Sequence, residues 1–144
     1  MVADPACLFT YAGCDVVIPL TVVEELDGLK TRMDDVGRSA RTALRTIEEL
    51  RRKAGGSLAT PVAVHDTPEG GTVQIEVNGI QRHLRIEHGL DPEVPDNRII
   101  GAALGQMRTS PTRIIFIVAA TATTETHTAL NTLSLHDALP ISVV

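Results

Sequence analysis

The chain has 144 residues, a length that suits one compact domain with a single core. Hydrophobic residues make up 43%, which excludes a globally disordered chain, and the scarcity of aromatics (2%, with no Trp) makes that core aliphatic. The net charge of −5 excludes a globally basic nucleic-acid surface, though not a local basic stripe, and no apolar run reaches the roughly 18–20 residues of a membrane span.

Cys7 and Cys14 form neither a CxxC pair nor a zinc pattern. No signal peptide precedes them. They read as buried or idle thiols of a cytoplasmic protein.

The segment "DVVIP" (Asp15–Pro19) is a short β-branched run ending at Pro, and predicts a buried strand. "TVVEELDGLK" follows. Thr21 and Glu24 have the spacing of a capping box, which predicts a helix from Thr21 toward Lys30. "GRSARTALRTIEELRR" is the clearest helix, with Ala40, Ala43, Leu44, Ile47 and Leu50 on one stripe and Gly55-Gly56 as its stop. "PVAVHD" predicts another strand. "GGTVQIEVNGIQRHLRIEH" alternates apolar and polar residues around Asn78-Gly79. It predicts a β-hairpin whose return strand carries Leu84 and Ile86. A loop then leads into a helix at about Asp96, with Ile99, Ile100, Ala103, Leu104 and Met107 on its buried face. "RIIFIV" (Arg113–Val118) is a last buried strand. Strand–helix alternation with an inserted hairpin predicts an α/β domain with a mostly parallel sheet.

Two acidic sites stand where α/β proteins place chemistry, at a strand end leading into a helix. The first is Glu24-Glu25. Glu24 is occupied by the capping box, whereas Glu25, about 100° further round the helix, can face the carboxyl edge of the sheet. The second is Asp96, at a helix start that also favours a carboxylate through the dipole. Taken singly, each is most simply a cap or a solvated first-turn acid.

Together they carry more. "VVIPLTVVEELDGLK", "GRSARTALR" and "DPEVPDNRIIGAAL" resemble, in order and spacing, the PIN domain that precedes the ATPase in PhoH-family proteins. The resemblance runs from about Val2 to Val118. It implies a three-layer α/β fold and a nuclease that cleaves single-stranded RNA with Mg²⁺ or Mn²⁺ held by a cluster of acids. Hard divalent ions prefer oxygen ligands and neutralise the charge that develops at a phosphodiester. By motif, Glu25 and Asp96 are the second and third acids of that cluster, both catalytic and metal-holding. The resemblance also implies a C-terminal PhoH-type ATPase domain in the parent protein, and no GxxxxGK[ST] motif is present here. It leaves self-association open. The alternative is a non-catalytic RNA-binding or protein-interaction module.

Arg38, Arg41 and Arg45 share a helix face by spacing. Arg45 reads as part of a solvated face paired with Glu49. Arg38 and Arg41, inside the family-like "GRSAR", read as RNA-binding residues together with Lys30. His65, His83 and His88 show no ligand spacing and read as surface residues.

The departures from the family pattern lie at both ends. The family's first acid, on its first strand, would fall before Met1, and its fourth would follow Val118, where Ala119-Ala120-Thr121 stand instead. The expectation is therefore a PIN-like domain over 1–118 that lacks its first, central strand and two of its four acids. It should be inactive as it stands. An absent central strand should also leave unpaired strand edges, each buried backbone group costing roughly 1–3 kcal/mol, and a poorly folded chain.

From Ala119 the character changes. Thr121–Glu125 is what ACG GCG ACC ACC GAG encodes, and Thr132–Ile141 is what ACT CTT TCC CTA CAC GAC GCT CTT CCG ATC encodes. Both strings belong to a common sequencing adapter, in one frame and in order. Residues 119–144 thus read as a non-native, disordered tail, and His136-Asp137 as no catalytic dyad.

Overall fold

The structure is a computed structural model, and it describes residues 13–64, 70–77, 82–94, 96–109, 114–116 and 141–143. Five strands and four helices lie within them: β1 (Asp15–Pro19), α1 (Leu20–Leu29), α2 (Asp35–Lys53), β2 (Val62–Ala63), β3 (Thr72–Glu76), α3 (Arg82–Glu87), α4 (Asp96–Thr109), β4 (Ile114–Phe116) and β5 (Ile141–Val143). The sheet order is β2-β3-β1-β4-β5. Only the β2–β3 pair is antiparallel; β1–β3, β1–β4 and β4–β5 are parallel. The expected α/β class with a mostly parallel sheet is what the chain adopts.

The β-branched run of β1 occupies the centre. Val16 pairs with Val73 on one side and with Ile115 on the other. Val16, Val17 and Ile18 alternate between the two faces of the sheet, yet all three are 0–1% exposed. Both faces are therefore covered, the hallmark of a parallel sheet sandwiched by helices. Helices α1 and α4 pack against β1, α2 packs against α1, and α3 against α4. Val22, Leu26, Ala40, Ala43, Ile47, Leu50, Ile99, Ala103 and Leu104 complete an aliphatic core, as the composition requires. Each fully buried Val, Leu or Ile contributes about 1.5–3 kcal/mol.

Four expectations need correction or placement. The capping box at Thr21 does not form. Helix α1 starts one residue earlier, its N-cap is Pro19, and no side chain caps it. Proline fixes φ near the helical value and ends the strand, so the helix can begin directly behind it. The hairpin is also displaced. β3 pairs antiparallel with β2, and residues 82–87 form α3 instead of a return strand. Both edges of β3 are taken, by β1 and β2, so no third strand can add there. The Leu84–Ile86 alternation was too short to tell strand from helix. The Asn78-Gly79 turn itself lies outside the described residues.

The gap expected from an absent central strand is closed. β1 hydrogen-bonds to β3 and β4 directly, leaving no unpaired edge beside it. In the tail, Ile141–Val143 stand as β5 against β4; the rest of 119–144 lies outside the described residues, as do Cys7 and His65.

Two glycines permit close approaches. A Cβ on Gly71 would sit 1.9 Å from the carbonyl oxygen of Cys14, where β3 enters beside β1. A Cβ on Gly37, in the first turn of α2, would sit 2.0 Å from the carbonyl oxygen of Arg32. Gly28, in α1, has open space instead. Gly37→Ala should lower stability by roughly 1–3 kcal/mol, because backbone must move. Gly28→Ala should raise it by roughly 0.5–1 kcal/mol through helix propensity. Thermal melts followed by circular dichroism check both; a Gly37→Ala midpoint at or above that of the parent would contradict the packing described.

Candidate active site at the carboxyl edge of the sheet

Because β1 and β3 run parallel, their carboxyl ends share one edge. α1 begins at that edge directly behind Pro19. The chain leaves β3 at Glu76 for α3, and Asp91–Asp96 brings it into α4. That last approach is held by short-range bonds. The Glu93 N–H donates to Asp91 Oδ1 at 2.9 Å, Asn97 Nδ2 donates to the Asp91 carbonyl at 2.8 Å, and the Asn97 N–H donates to the Val94 carbonyl at 3.1 Å. They deliver Asp96 as the first residue of α4, as expected, and the helix N-terminus favours its charge. Ile99, Ile100, Ala103 and Leu104 are buried as the spacing predicted; the side chain of Met107 lies outside the described residues.

A cavity of about 280 Å³ opens at this edge. It is lined by Pro19, Leu20 and Thr21 from the β1–α1 junction, Glu24 from α1, Glu76 and Val77 from the end of β3, Arg85 from α3 and Arg98 from α4. Arg85 is 5% exposed. Glu24, expected to be held in a cap, lines the cavity instead. Glu25 is half-buried one residue further along α1, and Asp96 is half-buried one helical turn or less before Arg98; neither lines the cavity. No group of three or more His, Cys, Asp or Glu that could hold a metal ion occurs among the described residues. The donor type of Glu25 and Asp96 suits a hard cation, but among the described residues no complete ligand set is assembled there.

Glu76 and Arg85 carry no motif, and Arg98, inside the family-like "DPEVPDNRIIGAAL", has no assigned role. Only their positions reveal them, at a strand end and in helices reaching the same edge. Arg85 was hidden by the strand reading of its segment.

The basic residues expected to bind RNA do not line this cavity. Lys30 sits at the far end of α1, roughly 15 Å from its first residue at 1.5 Å per residue. There it pairs with Asp27. Arg38 pairs with Asp35 at 3.0 Å. Arg41 Nη1 donates to the carbonyls of Lys30 (2.6 Å) and Arg32 (3.0 Å), tying down the α1–α2 loop. On α2, where Arg45 was expected to pair with Glu49, the bidentate pair found is Glu48–Arg51.

The family model for PIN domains matches residues 1–132. The chain belongs to the PIN-domain family. PIN domains as a class are RNA-related nuclease domains that depend on divalent metal. This PIN domain is 40% identical over 103 residues to Protein PhoH2 of Bacillus subtilis (strain 168), an alignment covering 72% of the chain and 22% of that relative. It is 37% identical over 103 residues to Protein PhoH2 of Thermobispora bispora, with the same coverage, and 36% identical over 78 residues to that of Mycolicibacterium smegmatis, covering 54% and 17%. The chain thus spans about a fifth of the length of these curated relatives. No solved structure matches it. No helix among the described residues is long and apolar enough to cross a membrane.

The α1–α2 loop of the PIN domain is pinned by charge. Arg32 Nε donates to Asp34 Oδ2 at 3.0 Å, and the Gly37 N–H donates to Asp34 Oδ1 at 3.1 Å, so Asp34 caps α2. The Arg32 hydrogen bond, with the Gly37 N–H, holds the Asp34 carboxyl below its ordinary value near 3.8. A depressed folded-state value stabilises the fold in full above the ordinary value and is lost as pH falls through the lowered one. Asp34→Asn keeps a capping oxygen and removes the charge. It should lower the melting midpoint near neutral pH, and the deficit should shrink once pH drops below about 3.8. Melts of both proteins across that range check this; a deficit independent of pH would contradict it.

Proposed function

We propose that this chain is the nucleolytic domain of a longer PIN–PhoH-type protein that hydrolyses phosphodiesters of single-stranded RNA. In that protein it would be followed by a PhoH-type ATPase domain. The observation that carries the reading is the PIN-family match over residues 1–132, joined to 40% identity with a PhoH2 protein. The positions of Glu25 and Asp96 support it: Asp96 opens α4, and Glu25 lies on α1, the helix that begins at the end of β1.

Glu25 and Asp96 would offer oxygen ligands to Mg²⁺ or Mn²⁺. A bound ion would lower the pKa of its water and neutralise phosphodiester charge. With two such carboxylates, the 144-residue chain is expected not to cleave RNA alone, and the activity belongs to the longer protein. The absence of a third acidic partner among the described residues favours, as second reading, a domain that binds RNA without cutting it.

Cleavage of an end-labelled single-stranded RNA by the longer protein, with and without Mn²⁺, tests the reading. The expectation is ion-dependent cleavage that falls by at least about 10–100-fold in Glu25→Gln and in Asp96→Asn, the loss typical of a disturbed metal shell. Cleavage untouched by either substitution overturns the site assignment. Binding without cleavage under every ion condition favours the second reading.

A further inference from the structure

The strand-end cavity holds charged side chains other than the acidic pair Glu25 and Asp96. Arg85 contributes a guanidinium that is 5% exposed, and Arg98 contributes a second, exposed one from the first turn of α4. Burying a guanidinium is costly unless oppositely charged or hydrogen-bonding groups surround it. Two carboxylates, Glu24 and Glu76, line the same space. Leu20 and Val77 add apolar surface at 39% and 46% exposure. Cation, hydrogen-bond acceptor and apolar wall therefore meet in about 280 Å³.

Those three chemistries correspond to the parts of one nucleotide. Arginine presents a planar fork of donors that fits phosphate oxygens. A carboxylate is an acceptor-only group, and a ribose 2′-hydroxyl is a donor that deoxyribose lacks. Aliphatic side chains can cover a base. A carboxylate beside a phosphate is otherwise unfavourable, so the mixed lining suits a ribonucleotide better than a bare anion. The base of the site is rigid: Pro19, Leu20 and Glu76 belong to or adjoin the paired strands β1 and β3.

We propose that this cavity is a ribonucleotide subsite of the RNA path, in which Arg98 and Arg85 hold a backbone phosphate and the Glu24 and Glu76 carboxylates accept a hydrogen bond from a ribose hydroxyl. The proposal rests on the RNA reading above and adds a sugar-discriminating site beside the metal-holding acids. It requires no bond to be made or broken.

The test is fluorescence anisotropy of a labelled oligouridine and its deoxy counterpart with the 144-residue chain in excess EDTA, so that binding is read without cleavage. The parent chain should bind the ribo-oligomer more tightly. Arg98→Ala, at an exposed position that does not threaten folding, should weaken both oligomers about tenfold or more. It should also reduce the slope of log K against log[salt] by about 0.7, the signature of one lost phosphate contact on a single strand. Glu24→Ala or Glu76→Ala should narrow the gap between ribo- and deoxy-oligomer; both must keep the parent circular dichroism spectrum. The proposal is overturned if the parent chain binds neither oligomer, if Arg98→Ala leaves affinity and salt slope unchanged, or if neither Glu substitution moves the ribo/deoxy ratio. Loss of these effects while the longer protein still cleaves RNA in a Glu25- and Asp96-dependent way sinks the subsite alone. Failure of both experiments sinks the RNA reading with it.

Discussion

The double-sided pairing of β1 is the constraint on which the rest of the molecule depends. Five residues, Asp15–Pro19, hydrogen-bond to β3 on one side and to β4 on the other. Their side chains must then be apolar on both faces, and Val16, Val17 and Ile18 are. A strand so enclosed needs cover on both faces, and α1, directly behind it in the chain, and α4, from far downstream, both pack against it. The same pairing aligns the carboxyl ends of β1 and β3, and so creates the edge at which Glu24, Glu76, Arg85 and Arg98 meet.

Small details of the chain serve that arrangement. Gly71 lets β3 approach the Cys14 carbonyl, and Thr72 Oγ1 donates to Asp15 Oδ1 at 2.7 Å across the first rung. These contacts fix the register in which Val16 faces Val73. A one-residue slip would exchange the side chains of β1 between the two covered faces and force both to repack. At the other end of α1, Gly37, Asp34 and Arg41 hold the loop into α2. The "GRSAR" segment thus has a structural role in its Gly and second Arg: one allows the loop carbonyl to come close, and the other bonds it. A family-like motif is explained here by packing as readily as by ligand contact.

The acids expected to carry chemistry illustrate what motif and geometry contribute separately. Asp96 is placed by local rules alone, since a Pro-preceded acid before an apolar-periodic run starts a helix. Glu25 depends on where α1 begins, and Pro19 moved that start by one residue. The shift freed Glu24 from its anticipated cap and put it in the cavity wall. A helix rotates its side chains by about 100° per residue, so a single-residue error in the start reassigns which of two adjacent acids meets a site. Glu25 and Asp96 retain their support from the family pattern, while the cavity itself is walled by other residues.

What the sequence determined by itself was the set of long, strongly periodic or wholly apolar elements. β1 and the buried faces of α2 and α4 follow from residue spacing, because each repeats its signal over several turns or fills a strand with β-branched residues. Tertiary structure decided the rest. Whether Arg82–Glu87 became strand or helix depended on β3 having no free edge, and that edge was filled by β2 and by β1 from distant parts of the chain. Whether the expected gap beside β1 formed depended on β1 and β4 finding each other across almost the whole described chain. The cavity of Glu24, Glu76, Arg85 and Arg98 has the same origin: its members are up to 74 positions apart, and local periodicity cannot encode which strand ends and helix starts a sheet brings to one edge.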